Sequence, residues 1–274
     1  MTHLQMGSLE VPGGSLFYEM AGEGAVVTLI HPGLWDLRTW DPQVPVLLDA
    51  GFRVLRYDVR GYGRSSRLTG EPYSNVHDLV ALLDALDVTQ TLLVGCSMGG
   101  AIAIDLTLEH PDRVQALVLA ASGLGGFEPL EEENDWWEVR EGPIEAAIEA
   151  GDLERAEDLR LEIWAPLGTS DDAGRRIREI AFDNIHEITM DESAQEELDP
   201  PAAMRLGEID VPTLVLIAED DPPFMRRCGE LIARGILGAH QVTIEGADHV
   251  INLRQPEAFD RAVLPFLAKY SETD

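Results

Sequence analysis

The run LLVGCSMGGAIAIDL (residues 92–106) limits the possible folds of this 274-residue chain more than any other stretch. Its apolar start, without polar alternation, reads as a strand buried on both faces. It ends in Gly95-Cys96-Ser97-Met98-Gly99, and an apolar helical pattern begins at once. A serine on so tight a strand–turn–helix junction has a strained backbone that tolerates only small neighbours two residues away, and Gly95 and Gly99 supply them. The turn lifts the Ser97 hydroxyl above the sheet edge. The first amides of the following helix point to the same place, where they stabilise negative charge. A serine that merely caps a helix is the simpler alternative, but it does not account for the spacing and context together.

The rest of the chain alternates in the same way. Strand patterns fall at LFYEM, AVVTLI, FRVLRYD, QTLLVG, VQALVLA, PTLVLIA and HQVTIEG, with helical patterns such as SNVHDLVALLDAL and QPEAFDRAVLPFLAKY between them. Such alternation predicts an α/β fold with a mostly parallel sheet covered by helices. The opening SLEVPGGSLFYEM differs, since its Pro-Gly-Gly turn between two short runs predicts an antiparallel hairpin. Alternation stops near residue 122 and resumes at VPTLVLIAEDD. The expected division is a core of residues 1–122 and 206–274, with a helical cap inserted at 123–205.

The cap is also where charge concentrates. The chain carries 50 Asp plus Glu against 20 Lys plus Arg, a net −30. Residues 128–199 alone hold 24 acids against 6 arginines, or −18. A surface of that sign repels nucleic acid and anionic membranes, so neither is expected as a partner. The expected benefit is solubility or tolerance of salt. No run approaches the roughly 18 apolar residues of a membrane helix, and the N-terminus lacks a signal-peptide pattern. Two cysteines, Cys96 and Cys228, form no disulfide framework and fit a reducing, cytoplasmic setting.

A serine hydroxyl needs a base to take its proton, and the base needs a carboxylate to orient it. His249, in a polar loop after the last strand pattern, is the expected base. His3 is terminal, His77 and His186 sit in helical patterns, His110 ends a helix, His240 opens a strand, and His31 comes too early in the chain. Glu219, Asp220 and Asp221 follow the strand pattern between serine and histidine. Asp221 directly precedes Pro222, which pushes it into an extended conformation suited to a fixed side chain, so it is the expected acid, with Asp220 second. The preceding strand pattern, LVLAASG, is followed by no acid.

The order Ser97, Asp221, His249, together with DVRGYGRSS (residues 58–66), HPDRVQALVLA and GADHVINLRQPEAF, resembles the α/β-hydrolase fold superfamily, in its serine-nucleophile esterase and enol-lactonase branch. The resemblance runs from about Ser8 to Tyr270. It implies an eight-stranded, mostly parallel sheet and a cap that shapes the substrate pocket. It also implies that Asp58 and Arg60 brace a turn and take no part in chemistry. The turn after the third strand, HPGLW, would then donate one oxyanion-hole N–H and Met98 the other. Proline has no N–H, so Pro32 is excluded. Gly33 aligns with the usual donor and Leu34 is the fallback. Leu34 and Trp35 are expected on the acyl side of the pocket, and Trp136 and Trp137 along its flank. Cys96 reads as a buried filler. GLGGF (residues 123–127) lacks the third glycine of a nucleotide loop. No spacing suits a metal, and no cofactor is implied.

The expected activity is that of a serine hydrolase cleaving a small carboxylic ester or lactone through an acyl-enzyme. A C–C bond hydrolase and a cofactor-free perhydrolase use the same triad, and a slow-turnover ligand-binding receptor is the alternative of another class. Dehalogenases and epoxide hydrolases of this fold need a carboxylate where Ser97 stands. The expected partner is the small-molecule substrate, and the sequence leaves a homodimer open.

Overall fold

A computed structural model describes residues 4–271; His3 lies outside them. Strands β1 (Gln5–Val11) and β2 (Gly14–Ala21) form the expected hairpin. Its turn places Pro12 before Gly13, whose φ of 76° is the left-handed conformation that glycine adopts without strain. The chain continues through β3 (Val26–Ile30), α1 (Gln43–Asp49), β4 (Arg53–Tyr57), α2 (Asn75–Ala85), β5 (Thr91–Cys96), α3 (Met98–Glu109) and β6 (Val114–Ala120). After a long excursion come β7 (Thr213–Ala218), α7 (Pro223–Gly235), β8 (His240–Ile244), the short α8 (Ile251–Arg254) and α9 (Pro256–Tyr270).

The strands form one sheet in the order β1-β2-β4-β3-β5-β6-β7-β8. Pairing is antiparallel from β1 to β4 and parallel from there to β8. Both faces are covered. Leu93, Leu117, Leu119, Val215 and Ile217 pack on one side with residues of α2, α3 and α7, such as Leu79, Ile102 and Ile232. Leu92, Val94, Val118, Leu214 and Leu216 pack on the other with Leu47, Phe259 and Val263 of α1 and α9. Successive residues of β5, β6 and β7 therefore meet different cores, which is why their sequences show no polar alternation. Burying each large aliphatic side chain contributes about 1.5–3 kcal/mol. The edge strand β8 departs from this pattern. His240, Gln241, Val242 and Thr243 are exposed, because only one neighbouring strand covers them.

The excursion between β6 and β7 contains no strand among the described residues. It carries α4 (Glu131–Glu149), α5 (Leu153–Trp164) and α6 (Asp172–Asp183). No described helix is long and apolar enough to cross a membrane.

Candidate active site

In a parallel sheet the loops after the strands gather at one edge. Those after β3, β5, β7 and β8 carry Gly33, Ser97, Asp221 and His249. Ser97 has φ 50° and ψ −115°, a conformation costing about 1–3 kcal/mol for a non-glycine residue. The fold holds it there by hydrogen bonds from Ser97 N–H to the Ala120 carbonyl at 3.0 Å and from Gly123 N–H to the Ser97 carbonyl at 3.0 Å. The glycines flanking the turn have steric reasons. A Cβ on Gly95 would strike the Gly99 carbonyl, and one on Gly99 would strike the Ile30 carbonyl.

His249 Nδ1–H donates to Asp221 Oδ1 at 2.9 Å, with both side chains buried. Asp220 is exposed and Glu219 accepts from Gly246 N–H, so of the three candidate acids Asp221 alone meets the imidazole. Cys96 is fully buried, and its Sγ lies 3.6 Å from the His249 carbonyl, joining the serine turn to the histidine loop. Burial pushes its thiol well above the usual range, so it is an unreactive filler.

The turn after β3 is organised by His31. Val59 N–H donates to His31 Nε2 at 2.8 Å, so that nitrogen must be the acceptor. Nδ1 therefore carries the hydrogen and donates to the Pro32 carbonyl at 2.8 Å. Burial pushes the imidazole down to about 4, leaving it neutral. In a trans peptide the N–H points opposite to the C=O, so holding the Pro32 carbonyl aims the Gly33 N–H away from His31. Among the described residues the N–H groups of Gly33, Leu34 and Met98 have no protein partner. Gly33, Leu34, Ser97 and Met98 are partly exposed, so the edge is open at these positions. Leu34 has φ 69°, a second strained residue that the sequence does not announce.

Pocket expectations divide. Trp35 is wholly buried, and its Nε1–H donates to the Ile177 carbonyl at 2.9 Å. It anchors the turn to α6 among Leu161, Ile177, Ile180 and Val250, so its side chain serves packing, where the acyl side of the pocket had been expected of it. Leu34 packs against the same cluster from its partly exposed position. Trp137 lines a cavity of about 230 Å³ with Pro129, Glu133, Asn134, Trp164 and Phe224. Trp136 lies behind it, edge-on to Phe224 and beneath the Arg140 guanidinium.

Three contributors escaped sequence reasoning. Trp164, the last residue of α5, has its ring centroid 4.5 Å from that of His249. Phe224, three residues after Asp221, meets Trp136, Trp137 and Trp164 at near-perpendicular to tilted angles. Arg254 binds the buried Asp248 beside His249 at 2.8 Å and reaches the Gly168 carbonyl and Asp171, tying the histidine loop to the excursion. A tryptophan closing a helix just before Ala165-Pro166 is the one sequence signal that marked Trp164. The side chains of the Asp58 and Arg60 turn are engaged in bracing it. Asp58 accepts from Leu37 and Arg64 N–H, and Arg60 pairs with Asp78 at 2.6 Å.

A family model described as the alpha/beta hydrolase fold matches residues 26–142. A Variovorax paradoxus protein provisionally named a carbamate hydrolase is 30% identical, covering 93% of this chain and 97% of its own. A Paraburkholderia xenovorans protein named 2-hydroxy-6-oxononadienedioate/2-hydroxy-6-oxononatrienedioate hydrolase is 30% identical over 92% of this chain and 90% of its own. Among solved structures, the enol-lactonase from Burkholderia xenovorans LB400 is similar with a TM-score of 0.71 and 25% identity, over 96% of this chain and all of its own.

Proposed function

The chain belongs to the alpha/beta hydrolase family, and from that premise we propose that it hydrolyses a small carboxylic ester or lactone through an acyl-enzyme on Ser97. The observation that carries the reading is the buried His249–Asp221 hydrogen bond at the same sheet edge as the strained Ser97 turn. Ser97 Oγ attacks the carbonyl carbon as His249 Nε2 takes its proton. Asp221 holds the Nδ1–H tautomer and stabilises the imidazolium. The N–H groups of Gly33 and Met98 receive the developing oxyanion, each worth about 3–4 kcal/mol in the transition state. His249 returns the proton to the leaving oxygen, and the acyl group stays on Ser97. A water then attacks the acyl carbon, giving its proton to His249, and the acid leaves as Ser97 recovers its hydrogen. No step calls for a cofactor.

The dienedioate relative favours a second reading, hydrolysis of a C–C bond with the same triad. Charge argues against it. A dicarboxylate would approach a segment of net −18. The nearby arginines are engaged: Arg160 by Glu157 and Glu187, Arg227 by Glu133, and Arg254 by Asp248. A neutral ester or lactone meets neither obstacle.

A fluorophosphonate probe tests the reading together with p-nitrophenyl acetate and butyrate. Labelling confined to Ser97, and ester turnover that disappears in Ser97→Ala, are the expected results. Full activity in that variant would refute the assignment, and a single burst of product without turnover would favour a ligand-binding receptor.

A further inference from the structure

We propose that the cavity beside Trp164 is a subsite for a neutral aromatic group on the leaving alcohol, with Trp164 and Trp137 setting that preference. The inference rests on the ester-hydrolysis reading above. His249 must protonate the leaving oxygen, so whatever that oxygen carries extends from the imidazole, while the carbonyl oxygen points to Gly33 and Met98. Trp164 links the two regions: its ring packs against His249 at 4.5 Å and also forms part of the cavity wall.

The lining selects for shape and for lack of charge. Trp137 and Phe224 stand at centroid distances of 6.0 Å from Trp164 and 5.8 Å from each other, and Phe224 is nearly perpendicular to both. Rings at these separations and angles are already in the geometry of favourable aromatic pairs, and a guest ring extends the arrangement. The cavity holds about 230 Å³, and an apolar cavity of ~150 Å³ is large enough to take up benzene. Its acid, Glu133, is neutralised by Arg227, which bonds both carboxylate oxygens, and is capped further by Leu130 N–H. The Arg227 bond lowers the carboxyl below its ordinary range, so it stays a paired anion and offers no free charge to a cationic guest.

The test compares kcat/KM for benzyl acetate, cyclohexylmethyl acetate and ethyl acetate. The first two alcohols are alike in size and basicity and differ in aromaticity. The benzyl ester is expected to lead the cyclohexylmethyl ester about three- to tenfold. That ratio should fall toward one in Trp164→Leu and, separately, in Trp137→Leu, a residue outside contact with His249. Thermal melts establish that each variant is folded. A wild-type ratio near one overturns the subsite alone, as does a ratio that survives both substitutions. So does a preference for acetylcholine over its uncharged 3,3-dimethylbutyl analogue, which would mark a cation site. No turnover of any ester, with Ser97 unlabelled, overturns the hydrolase reading and this subsite with it.

Discussion

The Val59 backbone N–H donates to His31 Nε2 at 2.8 Å, and that one bond fixes the tautomer of a ring outside the proposed triad. With Nε2 occupied as an acceptor, only Nδ1–H can hold the Pro32 carbonyl, and the Pro32–Gly33 peptide is locked as a unit. His31→Leu keeps the bulk and removes both bonds. The proposed oxyanion donor is then free to rotate, so kcat for p-nitrophenyl acetate should drop about 100-fold while KM changes little, the pattern of an interaction made only in the transition state. The unpaired Val59 N–H should also cost about 1–3 kcal/mol of stability. A folded variant with unchanged kcat would show that Gly33 is not held by this ring.

The acids after β7 can be separated by the same logic. Asp221 is buried and bonded to His249, whereas Asp220 is exposed. Asp221→Asn preserves shape but presents an amide, favouring the wrong imidazole tautomer. We expect kcat to fall about 10⁴-fold, against less than twofold for Asp220→Asn. Similar losses in both variants would mean that the acid has been misassigned.

These two cases show what the sequence made legible. The strained turn at Ser97 was readable because its steric demand is written in Gly95 and Gly99, residues within two positions of it. The fixed position of Asp221 beside His249 was readable because Pro222 constrains its neighbour locally. Trp164 and Arg254 were not, because what they touch is decided by how the excursion packs over the sheet edge, a contact between elements far apart in sequence. Trp35 failed for a related reason. Its place in the turn suggested the pocket, but its indole N–H found the Ile177 carbonyl 142 positions later. The polar residues of β8, HQVTI, hint at exposure, and the strand order gives the reason by placing it at an edge.

Glu157 should give stability an unusual pH dependence. It is wholly buried, Oε1 has no partner among the described residues, and burial pushes its carboxyl up to about 7 despite Arg160. A raised acid favours the fold fully below the unfolded value of about 4.5, and that advantage is lost as pH climbs through 7. The difference corresponds to ~3 kcal/mol. Asp58 and Asp105, pushed up by burial to about 6 and about 7, act in the same direction. His31, pushed down to about 4, acts oppositely, losing stability as pH falls below 6.5. Comparing Glu157→Gln with the parent cancels these shared terms. The Tm difference between the two proteins should shift in favour of the glutamine variant from pH 4.5 to 7 and level off above. A difference independent of pH would rule out Glu157 as the source.

Charge repulsion makes the last prediction, and two opposing effects decide its sign. Salt weakens exposed ion pairs such as Arg178–Asp158 and Arg205–Glu208, but each is worth only about 0–1 kcal/mol. Salt also screens repulsion among 24 acids in residues 128–199 that have 6 arginines to answer them. Acids outnumber arginines fourfold in this segment, so screening should win and Tm should rise with potassium chloride. The shape of the rise identifies its cause. The Debye length shrinks from roughly 30 Å at 0.01 M to 10 Å at 0.1 M and 3 Å at 1 M, so a screening effect is steep at first and then flattens. A linear increase continuing to molar salt would instead indicate exclusion of salt from the protein surface. A flat or falling Tm would mean that the acidic segment is not under significant electrostatic strain.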